Sequence, residues 1–190
     1  AYDIRLSLVG SEMCIRDRGW TAQLGATLAQ YSGAAYVGAY SLRITHVAST
    51  TSGASTLYTT STQGTYTASC YLKAYSAADV GLNCSLLMRF TYSDATTSDV
   101  SVNHTLATAW TRVQVTATTN GAKTLSNITI FVRDLLSGAA HDSLVDAVQL
   151  ENASFATPYC DGSLGSGHSW SGTAHALSLI HISEPTRLLS

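Results

Sequence analysis

Proline is nearly absent from this 190-residue chain, occurring only as Pro158 and Pro185, so turns must be made by Gly, Asn, Asp and Ser. Charge is scarce too. Charged residues make up 12% of the chain, with a net charge of −2, against about 25% charged in an average soluble domain. No basic stripe exists, which argues against electrostatic binding to nucleic acid. No run approaches the roughly eighteen apolar residues of a membrane span, so membrane insertion is not expected. Four cysteines occur, Cys14, Cys70, Cys84 and Cys160, with no CxxC pair and no metal-ligand spacing. Cys70 and Cys84 fall on core-facing phases and read as small buried hydrophobes, with a Cys70–Cys84 bridge as the alternative. A sustained 3.6-residue period is also missing; Leu24–Gln30 could make one helical turn at most.

What is abundant is Thr, Ser, Ala, Gly and Tyr, arranged with period two. Thr and Tyr suit strands, and Gly and Ser suit turns. In Val80–Tyr92, one face carries Val80, Leu82, Cys84, Leu86, Met88, Phe90 and Tyr92, and Leu87 is the exception on the polar face. Tyr40–Ala48 turns Leu42 and Ile44 inward, with Arg43 and Thr45 outward. Tyr66–Ala74 buries Tyr66, Ala68, Cys70 and Leu72 and presents Thr67, Ser69, Tyr71 and Lys73. Trp110–Ala117, Leu125–Arg133 and Leu144–Leu150 complete the series. Polar turn signals separate them at 51–53, 76–79, 93–94, 120–121 and 137–138. Many strands with short turns predict an all-β fold, an antiparallel sandwich or jelly roll.

The two ends resemble translated sequencing-library adapter. Leu8–Asp17, LVGSEMCIRD, back-translates into a transposase mosaic end, and Leu177–Arg187, LSLIHISEPTR, into the reverse complement of the same element. Residues 1–18 and 177–190 are therefore read as extraneous to the domain. That leaves 19–157 as the sandwich and 158–176 as a Gly/Ser-rich tail or linker. Setting the ends aside removes Arg5, Arg16, Arg18 and Arg187 together with Asp3, Glu12, Asp17 and Glu184, so the net charge stays at −2.

Five segments in order resemble the CenC-like carbohydrate-binding modules of the family 4/9 type, which have a galactose-binding-like jelly roll. They are Gly19-Trp20, GAYSLRIT (Gly38–Thr45), GTYTASCYLKA (Gly64–Ala74), WTRV (Trp110–Val113) and VDAVQLE (Val145–Glu151). Ala156–Ala176, ATPYCDGSLGSGHSWSGTAHA, resembles the segment that follows such modules in phage minor tail and other virion proteins. The resemblance implies a non-catalytic module for polysaccharide or cell-surface glycan, in a virion or extracellular setting, with other virion subunits as neighbours. Two alternatives stand beside it: a purely structural virion sandwich, and the targeting module of a glycoside hydrolase. The family's first strand has no counterpart from Gly19 onward, so an open sheet edge is expected.

Sugar recognition needs aromatic faces plus amide, hydroxyl or charged groups. Tyr71, Lys73, Arg89, Arg112 and Gln114 all take solvent-facing phases, and Tyr36 and Tyr75 sit in loop contexts. A face carrying Tyr71, Arg89 and Gln114 could form a shallow groove; ordinary surface decoration is the plain alternative for each. Trp20 and Trp110 read as core or rim packing. Asp146, in phase with Leu144, Val148 and Leu150, is expected to point inward. The resemblance gives that position a structural Ca²⁺, although calcium wants six to eight oxygens; an Asp bonded to backbone N–H groups is the alternative. The histidines are scattered. No GxSxG elbow or paired carboxylate supports catalysis, and Asp94, Asp99, Asp134 and Asp142 read as turn residues.

Overall fold

The computed structural model describes residues 4–8, 19–48, 50–135, 138–159, 168–170 and 179–181. Its strands are β1 (Ile4–Leu8), β2 (Thr21–Gln23), β3 (Thr27–Tyr31), β4 (Ser41–His46), β5 (Gly53–Thr59), β6 (Thr65–Ala74), β7 (Asn83–Tyr92), β8 (Thr97–Thr105), β9 (Thr111–Thr118), β10 (Leu125–Asp134), β11 (His141–Glu151), β12 (His168–Trp170) and β13 (Leu179–His181). A 3₁₀ turn at Ala77–Asp79 is the only helical element among the described residues, and no helix there is long and apolar enough to cross a membrane.

Two antiparallel sheets face each other as a jelly-roll sandwich. One runs β2-β5-β10-β7-β8. The other is centred on β11. On one side it pairs with β6, which pairs in turn with β9. Its other side is shared: β4 takes His141–Val145 and β1 takes Val148–Glu151. β3 extends from β4, and β13 and β12 extend from β1. Leu42, Ile44, Cys70 and Leu72 from the second sheet meet Leu86, Met88, Phe90, Ile128 and Val132 from the first in one core. Burial of this kind contributes about 25 cal/mol per Å² of apolar surface, and the period-two pattern aims those side chains inward.

Several expectations change. Leu24–Gln30 is not a helical turn. Leu24 (φ 51°) and Gly25 (φ 85°) both sit in the left-handed region, and Ala26 N–H donates to Gln23 C=O, closing a tight turn before β3. β5 and β8 escaped the period-two reading. β5 opens on Gly53, which reads as a turn residue, but a Cβ there would sit 2.2 Å from the Val132 carbonyl oxygen, so close pairing with β10 requires glycine. β8 is an edge strand whose only large aliphatic residues are Val100 and Val102. Val80 is exposed, because the 3₁₀ turn and the bend after it delay β7 until Asn83. Cys70 and Cys84 are free and buried, with no bridge. Ile4–Leu8, from the stretch read as extraneous, pairs with Val148–Glu151 of β11. Of the stretch 158–176, only 158–159 and 168–170 are among the described residues; Cys14, Cys160 and His175 lie outside them.

Candidate functional site

One residue re-phases β11. Val145 pairs with Leu72 and Asp146 with Tyr71, yet Gln149, three positions on, pairs with Ser69. Ala147, at φ 49°, is the inserted residue of a β-bulge. Directly opposed residues share a face, so Asp146 stands on the outer face with Tyr71, while Val148 and Leu150 return to the core. This corrects the inward placement of Asp146. A uniform alternation cannot register one extra residue.

Asp146 is buried all the same, because a loop covers it. Tyr36 N–H donates to its Oδ2 at 2.7 Å and Val37 N–H at 3.1 Å, while Ala147 N–H donates to Oδ1 at 2.7 Å. Burial pushes its carboxyl above the usual range, and the three N–H bonds oppose that shift. This is the backbone-bonded Asp. Among the described residues no group of three His, Cys, Asp or Glu ligand atoms includes Asp146, and its carboxylate oxygens are engaged by those three N–H groups.

The loop so anchored lays the ring of Tyr36 on that of Tyr71, with centroids 3.5 Å apart and planes 14° from parallel. Trp110 meets Tyr36 edge-on at 6.4 Å. Farther along the same face Tyr75 packs against Tyr31 at 5.1 Å, and the Arg43 guanidinium sits 3.8 Å above the Tyr75 ring. Tyr36 remains 41% exposed, so one side of the stack faces solvent.

A second cover lies over the other end of this face. Thr67 Oγ1–H donates to the Ala153 carbonyl, and the Thr157 N–H and hydroxyl both donate to Glu151. Arg112 reaches Ser69 Oγ at 2.9 Å and the Thr157 carbonyl at 2.6 Å, with its guanidinium 5.9 Å from the Tyr71 ring centre. Thr67 and Ser69, expected outside, are therefore buried beneath residues 152–158.

Tyr71, Lys73, Arg112 and Gln114 lie on one outer face, with Asp146 opposite Tyr71. Arg89 does not. It lies on β7 in the opposite sheet, paired with Asp99 through two hydrogen bonds of 2.7 and 2.6 Å. Alternation assigns a residue to a face but not to a sheet, which explains that grouping. Tyr36 sits in a loop as its small-residue neighbours Ser32–Ala35 suggest, and Trp110, expected as core or rim packing, meets its ring edge-on. A separate hollow of about 600 Å³ is lined, among the described residues, by Trp20, Ala22, Ala26 and Thr27 to Gln30, none of them titratable.

No protein-family model and no curated protein matches the sequence. Solved structures do match. The CBM22-1 xylan-binding domain of Paenibacillus barcinonensis Xyn10C superposes with a TM-score of 0.62 at 18% identity, over 82% of this chain and 98% of that one. The chain shares its fold with carbohydrate-binding modules. A xylan-binding domain from CBM 22 gives 0.59 at 14% identity, covering 83% and 96%. The CBM22-1–GH10 modules of Clostridium thermocellum xylanase 10B, complexed with xylohexaose, give 0.61 at 15% identity, covering 82% of this chain and 30% of that longer one. These modules are of family 22, whereas the sequence motifs resemble the 4/9 type. At such identities the shared property is the jelly roll.

Proposed function

We propose that this chain is a non-catalytic carbohydrate-binding module that takes a polysaccharide or cell-surface glycan on the face built by β9, β6, β11 and β4. The observation that carries the reading is the Tyr36–Tyr71 stack with Trp110 at its edge, flanked by Lys73, Arg112 and Gln114. Aromatic faces bind the C–H side of a pyranose, and the flanking groups reach its hydroxyls. The face is preformed: backbone bonds to Asp146 fix the Tyr36 loop, and Arg112 fixes the Thr157 segment. Preorganisation lowers the entropic cost of binding. The CenC-like motifs and the segment from Ala156 support placing the module in a phage tail or other virion protein, acting outside the cell. A second reading, a targeting module beside a glycoside hydrolase, is favoured by the xylanase 10B neighbour, in which a module of this fold is joined to a GH10 module.

Titration calorimetry of the full chain with xylohexaose, together with a glycan array, tests the proposal. Both are run with calcium and with chelator. Selective binding that Tyr36→Ala weakens supports the module. A blank array and no heat from well-folded protein would overturn it in favour of a structural virion sandwich. Loss of binding with chelator would restore calcium as a structural ion.

A further inference from the structure

Away from that face, the interior of the sandwich holds a polar cluster that neither the fold nor glycan binding requires. His46 ends β4, His141 begins β11, Cys84 stands near the start of β7, and Asp134 ends β10. The first two belong to one sheet and the last two to the other, so the four meet between the sheets at one end of the sandwich. All are buried, at 0 to 4% exposure. Cys84 Sγ lies 3.8 Å from His46 Nε2 and 3.6 Å from His141 Nε2. Asp134 Oδ1 is 4.0 Å from His141 Nε2. The imidazoles stack with centroids 4.5 Å apart.

Two features mark this as more than a packed polar group. The first is orientation. His46 Nδ1 is 2.9 Å from the Ser52 carbonyl, and His141 Nδ1 is 3.3 Å from the Ala139 carbonyl. A carbonyl can only accept, so each Nδ1 carries the proton and each Nε2 presents a lone pair toward Cys84. Metal-binding histidines are held in this way, with the second ring nitrogen donating to a backbone carbonyl. The second is spacing. Tetrahedral Zn²⁺ with Zn–S of about 2.3 Å and Zn–N of about 2.05 Å places sulfur about 3.6 Å from each nitrogen. The observed 3.6 and 3.8 Å match that edge.

We propose that His46, Cys84 and His141 bind a Zn²⁺ ion, and that the ion staples the two sheets together. Cys84 binds as thiolate, its proton passing to solvent as the metal enters. Imidazole and thiolate donors select zinc-class transition metals over hard cations. Ser143 Oγ, 2.8 Å from His46 Nε2, donates to that nitrogen when the metal is absent and rotates away when it binds. Because the ligands are buried, the ion enters during folding, as is usual for structural zinc.

The test is refolding of the full chain with one equivalent of Co²⁺ or Zn²⁺. The cobalt form is expected to show a thiolate-to-cobalt charge-transfer band that Cys84→Ser removes and Cys70→Ala keeps. The zinc form is expected to melt several degrees above the chelated chain. A well-folded chain without the band would overturn the site, as would a band that survives Cys84→Ser. Should Cys84→Ser fail to fold, X-ray absorption of the zinc-loaded wild type decides: one sulfur with nitrogen or oxygen scatterers supports the site, and any other sulfur count refutes it.

Discussion

Asp146 is the cross-strand partner of Tyr71, and its carboxylate accepts the backbone N–H of Tyr36, whose ring covers Tyr71. One buried acid thus ties the sheet to the loop that completes the aromatic platform. Asp146→Ala leaves three N–H groups without their acceptor, and a buried orphan costs about 1–3 kcal/mol. With partial rescue by water, we expect a net destabilisation of about 2–4 kcal/mol in urea melts, together with weakened glycan binding. A change below about 0.5 kcal/mol would show that the loop is held by other means.

Tyr36→Ala separates platform from scaffold. The residue is 41% exposed, so the melting temperature should move little. Loss of a stacking face is expected to weaken xylohexaose binding about tenfold, equivalent to about 1.4 kcal/mol. Unchanged affinity would remove Tyr36 from the site.

Arg112 links the face to the segment beyond β11 through Ser69 and the Thr157 carbonyl. Arg112→Ala should free residues 152–158, seen as faster hydrogen exchange there and at the buried Ser69. Arg112→Lys should rescue only in part, since both bonds come from the single Nη2 at the tip of the longer side chain and the lysine ammonium is carried on a shorter one. Exchange rates equal to wild type would show that Glu151 and Gln149 suffice to hold Thr157.

Asp94 gives a pH prediction. Hydrogen bonds from the Thr96 hydroxyl, Lys123 and the Thr96 N–H pull its carboxyl down to about 2. A carboxyl depressed on folding adds stability above its unfolded value of 3.8, and that stability is lost as pH falls from there through about 2. Side-chain NMR titration should find the low value and see it rise in Thr96→Ala. An ordinary value in the wild type would contradict the bonding at this turn.

If residues 1–18 and 177–190 are extraneous, a chain spanning 19–176 should still melt cooperatively, despite losing the β1 ladder along Val148–Glu151. Loss of cooperativity would make β1 an integral strand.

The sequence alone was enough for the class of fold, because alternation is a local property: β4, β6, β7, β9 and β10 each declare one apolar face, and with two prolines and no helical period nothing competes with strand formation. It also assigned Tyr71, Lys73, Arg89, Arg112 and Gln114 outward phases, and the pairing of β6 with β9 is what sets Tyr71, Lys73, Arg112 and Gln114 on one face. What it could not contain is anything set by which strands meet. Sheet membership separated Arg89 from Tyr71, and the bulge at Ala147 moved Asp146 to the opposite face. Cys84 lies 38 residues from His46 and 57 from His141. Only the packing of two sheets brings them within 4 Å, because side-chain proximity across a sandwich depends on topology and register rather than on spacing along the chain.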